Sequence, residues 1–131
     1  MSRHHHSTTH LREASIAIFG DGPSALALCE ECLARGIAAV IVRIAPKGTT
    51  EHVDVFKGRD DYRALIILEG PRAKLASYSP VADFFKRHPT IQVVINTVRS
   101  SSRAVYDPHL LLHTAVSHGR HAIDIYDCGA D

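Results

Sequence analysis

The chain is short of several features that would place a protein quickly. No apolar run approaches the ~18 residues a membrane span needs, so a transmembrane reading is excluded. The first twelve residues, Met1 to Arg12, hold no hydrophobic stretch, and a secretory signal is not expected there. Cysteine is scarce and odd in number, at 3, which argues against a disulfide framework and for a reducing compartment. Charge of one sign is lacking as well: 15 Lys and Arg against 14 Asp and Glu leave a formal net charge of +1. Neither nucleic acid nor an anionic membrane is then expected as the main partner. A Walker loop, a serine nucleophile elbow, an HExxH helix, a close carboxylate pair, an internal repeat and a low-complexity tract are all missing.

What is present is ordinary globular composition with one informative segment. At 131 residues and 45% hydrophobic, the chain is long enough for one core and too short for two. A tail is expected over 1–13 and a single domain over 14–131. The tail has arginines, Ser and Thr and no acid before Glu13, so a cytoplasmic location is expected with an organellar matrix as the alternative. Ten histidines add positive charge below about pH 6.5, making surface potential pH-dependent.

The segment is Ser15-Ile-Ala-Ile-Phe-Gly-Asp-Gly-Pro-Ser-Ala25. An apolar run from Ile16 to Phe19, within a strand expected over Ser15–Phe19, meets Gly20-x-Gly22-x-x-Ala25, and a helical apolar pattern (25, 26, 28, 29, 32, 33) follows until Gly36. Strand, glycine turn and helix in that order suit a dinucleotide-binding βαβ unit. Gly20 allows the tight turn and Gly22 lets a pyrophosphate approach the backbone. Ala25 lets helix and strand pack closely, and the helix N-terminus offers free N–H groups. Asp21 and Pro23 qualify this cradle: one adds negative charge, the other removes an N–H. Ser24 completes the candidate loop.

Further strands are expected over Ala38–Ile44, ended by Pro46-Lys-Gly48, over His52–Phe56, Ala64–Leu68, Ile91–Val98 and His121–Tyr126. Asp60–Arg63 reads as a turn or loop. Helices are expected from Ser79-Pro80 to about His88 and from Asp107-Pro108 to Gly119. The predicted fold is α/β: a single Rossmann-like, doubly wound, mainly parallel sheet of about six strands with helices on both faces.

Arg43 stands near the end of the second strand, where NAD-binding domains place an acid for the ribose hydroxyls. An arginine suits a 2′-phosphate instead, which favours NADP over NAD. Asn96, Thr97, Val98 and Ser100 fall where the strand ending at Val98 meets the carboxyl edge of the sheet, with Arg99 and Arg103 flanking Ser100-Ser101-Ser102. Cys29-Glu-Glu-Cys32 spells CxxC but lies on the apolar helix stripe, so buried small hydrophobes are expected rather than a metal site. His109 and His113, one turn apart, lack a third ligand of known position, and no metal is expected.

The segments Ile16-Ala-Ile-Phe-Gly-Asp-Gly-Pro-Ser-Ala25, Val93-Val-Ile-Asn-Thr-Val98 and Leu110 to Asp124 together resemble the N-terminal NAD(P)-binding domain of saccharopine dehydrogenase-like oxidoreductases. The Gfo/Idh/MocA oxidoreductases share much of this pattern. The resemblance implies hydride chemistry carried by a nicotinamide cofactor, with Asp124 at the family's acid position. Two departures stand out: Arg99-Ser100 replaces the family's Gly-Pro, and the substrate domain has no counterpart. Two functions therefore remain open. One is an NADP-dependent oxidoreductase, or its cofactor-binding part, completed by a partner protein that supplies a substrate wall. His109, Tyr106 and Asp124 are its proton-donor candidates by position only. The other is a non-catalytic Rossmann module, a CoA or nucleotide sensor or a structural subunit. A homodimer is expected in either case, to cover the sheet edges.

Overall fold

A computed structural model describes residues 14–20, 22–46, 63–68, 79–99 and 106–125. The expected tail, the candidate strand at 52–56 and the site candidates Asp21 and Ser100 lie outside the described residues. The strands are β1 (Ile16–Phe19), β2 (Ala39–Pro46), β3 (Arg63–Leu68), β4 (Val93–Asn96) and β5 (His121–Asp124). The helices are α1 (Pro23–Ala34), α2 (Ser79–Arg87) and α3 (Pro108–Ser117). The strands form one five-stranded sheet in the order β3-β2-β1-β4-β5. All four ladders are parallel, where a mainly parallel sheet of about six strands was expected.

Each boundary has a local cause. Proline at the first turn starts both α1 and α3, since its missing N–H is not needed there. Asp107 caps α3 by accepting the His109 N–H at 2.9 Å. Gly36 (φ 77°) and Gly119 (φ 78°) supply the left-handed residue just beyond α1 and α3. β2 runs past the expected stop and includes Pro46, opposite Leu68. β1 ends opposite Val42, so beyond that point β2 has a ladder on one side only, where a terminal proline is tolerated. β4 is shorter than the run Ile91–Val98, because the Asn96 side chain folds onto the Val98 backbone and takes the ladder's place.

Alternation along the strands sends side chains to two opposite faces. On one, Ile18, Ala39 and Ile41 pack with Ala25, Cys29 and Cys32 of α1. On the other, Ala17, Phe19, Val40, Val42 and Val94 pack with Val81, Phe84 and Phe85 of α2 and Leu111 and Ala115 of α3. Phe19, Phe84 and Phe85 meet edge-on, with centroids 6.0 to 6.3 Å apart. Such pairs add about 0.5–1.5 kcal/mol each beyond their buried area. No helix among the described residues is long and apolar enough to cross a membrane.

At the amino edge of the sheet one guanidinium ties the second layer together. Arg120 donates to the carbonyls of Ile91 (2.9 Å), His118 (2.6 Å), Phe85 (2.6 Å) and His88 (3.3 Å). Its charge also lies 5.3 Å from the Phe85 ring centroid. The carbonyls of Phe85 and His88 stand at the C-terminal end of α2, where a cation is favoured. Replacing Arg120 with Met leaves these carbonyls without their donor. A urea titration should then show a loss of about 3 kcal/mol, and Arg120→Lys should restore only part of it, because an ammonium cannot fork.

His88 packs its ring 4.7 Å from Phe84, and its buried Nδ1 has no hydrogen-bond partner among the described residues. Burial, with Arg87 assisting, pushes its pKa below the ordinary 6.5. The unfolded chain therefore takes up this proton first as pH falls. Stability from neutral His88 is intact above pH 6.5 and declines below it until the folded-state ring protonates. A His88→Phe variant should lose less stability than the parent between pH 6.5 and 5, as read by thermal unfolding at each pH.

Candidate functional site

The carboxyl edge of the sheet gathers most of the sequence-predicted residues. β1 hands over to α1 through Gly20 and Gly22, and the sheet order reverses here between β1 and β4. Ligands of open parallel sheets bind at such a point.

Gly20 and Gly22 are glycines for different reasons. Gly20 has φ 142°, a region that side chains rarely enter, and a Cβ on it would collide with Thr97 Oγ1. Its N–H donates to the Val42 carbonyl at 3.0 Å. The fold itself requires this glycine. Gly22 is the N-cap of α1 with φ −97° and ψ −177°, extended backbone open to any residue. A Cβ there would meet nothing within 4 Å among the described residues. The fold does not require this one.

Among the described residues, no side chain caps α1. Pro23 has no N–H to offer, and the first intrahelical bond runs from Leu26 N–H to the Gly22 carbonyl at 3.2 Å. The N–H groups of Ser24 and Ala25 precede that bond, at the positive end of the helix dipole. Ala25 itself is buried against the sheet, while Pro23 and Ser24 are exposed. Together these groups can hold a phosphate or carboxylate.

Arg43 follows Val42, which pairs with Phe19, so it stands level with Gly20 one strand away. By alternation it shares the α1 face with Ile41, and it is half-buried. It sits three residues inside β2, rather than at the strand's end as expected, because β2 extends to Pro46.

Asn96 and Thr97 are buried, and their side chains are engaged within the protein. Asn96 Nδ2 donates to the Val98 carbonyl (2.7 Å) and to Asp124 Oδ1 (3.1 Å). Its Oδ1 accepts from the Val98 N–H (3.1 Å) and from the Tyr106 hydroxyl (3.0 Å). Those four bonds exhaust what an asparagine side chain can make. Thr97 donates both its N–H and its Oγ1 to the Phe19 carbonyl, each at 2.9 Å. These two residues shape the edge through bonds within the protein. Val98 is half-buried against the second layer. Of the three proton-donor candidates, Tyr106 and Asp124 both bond Asn96, whereas His109 lies exposed in the first turn of α3.

Cys29 and Cys32 are reduced thiols, outside any disulfide, inside the α1 layer, with Cys29 Sγ 3.9 Å from the Ala39 carbonyl. Burial pushes the Cys32 thiol up, Glu31 adds to that, and Arg35 offsets part of it. A raised thiol pKa disfavours the reactive thiolate. Among the described residues, no three His, Cys, Asp or Glu side chains gather to hold a metal ion.

Sequence reasoning missed Arg120 altogether and had no means to join Tyr106, Asn96 and Asp124. Asn96 and Asp124 share a position at strand ends, but Tyr106 stands just before α3. Comparison with protein-family models, with curated proteins and with solved structures finds no match for this chain.

Two substitutions test this geometry. Asn96→Asp sets a second carboxyl against Asp124 and the Val98 carbonyl, so the pair holds a proton above the ordinary carboxylate range. The variant's stability should fall as pH rises from about 4 to 7, opposite to the usual carboxylate trend. Gly20→Ala should cost about 2 kcal/mol or more through its backbone conformation and the Thr97 collision. Adding Thr97→Ala should recover the collision part, giving a coupling of about 1 kcal/mol in a double-mutant cycle of chemical denaturation.

Proposed function

We propose that this chain is a Rossmann-like nucleotide-binding domain that takes a dinucleotide phosphate at the β1–α1 turn, with NADP(H) the favoured ligand. One observation carries the reading. Among the described residues, no side chain caps α1 at Gly22 and nothing stands within 4 Å of where its Cβ would lie, although the fold makes no demand for glycine there. A serine, asparagine or aspartate at that position would stabilise the helix better, by a few tenths of a kcal/mol over glycine. A ligand phosphate in that space accounts for the choice. The strand order, read from β3 to β5, is also that of the first five strands of a dinucleotide-binding sheet.

In this reading the N–H groups of Ser24 and Ala25 hold the phosphate, and Arg43, level with the turn, meets a 2′-phosphate. Asn96 and Thr97 keep the β4 exit in place without touching the ligand. A nicotinamide cofactor would bring hydride transfer, and this domain would bind and orient it. An oxidoreductase role extends the proposal, with the substrate wall contributed by a partner.

Calorimetric titration with NADPH, NADH and CoA in parallel tests the proposal. Micromolar NADPH binding is expected, and Gly22→Val should weaken it at least about tenfold (about 1.4 kcal/mol) in a variant that still folds cooperatively, with Tm lowered by only a few degrees because valine caps a helix less well than glycine. Arg43→Glu should reduce the preference for NADPH over NADH by about the same factor. Absence of binding to all three, with the variant and parent equally folded, would overturn it.

A further inference from the structure

We draw no further inference here: the strongest candidate, the apolar strip on the α1 side of the sheet where Ile123 (48% exposed) and Ile125 (40% exposed) continue from Ile95 along the outer strand β5, carries nothing because nothing in the structure shows what covers it.

Discussion

The Phe19 carbonyl accepts both donors of Thr97, and most of the carboxyl edge depends on that double bond. β1 is the central strand, paired with β2 on one side and β4 on the other, so the chain leaving it has no lateral freedom. It must turn at once, directly over the point where β4 also ends. Thr97 closes the gap between the two strand ends and presses against Gly20, which leaves no volume for a side chain there. The glycine turn is thus held from behind by β4. Pro23 sets where α1 starts along the chain, and that contact fixes where the start, with its orphan N–H groups, stands over the sheet.

A second layer of polar bonds extends this arrangement outward. Asn96, one residue before Thr97, ends β4 by bonding the Val98 backbone through both ends of its amide, and links it to Tyr106 and Asp124. A buried amide with every donor and acceptor matched is stiff, since any movement leaves an unsatisfied group costing about 1–3 kcal/mol. At the opposite edge Arg120 does comparable work, drawing the ends of α2 and α3 toward the start of β4. The apolar core lies between these two polar edges, divided by the sheet into an α1 layer and an α2–α3 layer. The aromatic residues described, Phe19, Phe84, Phe85 and Tyr106, all belong to the second.

The residues first read as ligand contacts divide along the same line. Gly20, Asn96 and Thr97 are held in place by the protein's own bonds and packing. Gly22, Ser24 and Ala25 are the ones whose arrangement the fold leaves open. Residue types could not separate these groups, because a glycine needed for φ 142° and a glycine facing open space are written with the same letter. Arg43 shows a related limit. Its type suggested a phosphate partner, but its level beside Gly20 depends on where β1 stops, a matter of ladder pairing.

By itself the sequence determined the local elements. Continuous runs of Ile and Val, prolines at helix starts and glycines beyond helix ends act within a few residues, and so they placed the three helices and five strands of the described residues near their observed positions. Strand ends moved where a neighbour intervened: β2 outlasted its expected proline stop, and β4 was cut short by its own asparagine. The order β3-β2-β1-β4-β5, the closure of Thr97 on Gly20 and the fourfold grip of Arg120 were decided only by tertiary structure. Each of them joins residues far apart along the chain. A bond across such a separation leaves no periodic trace, because its cost and its gain are settled when the layers pack.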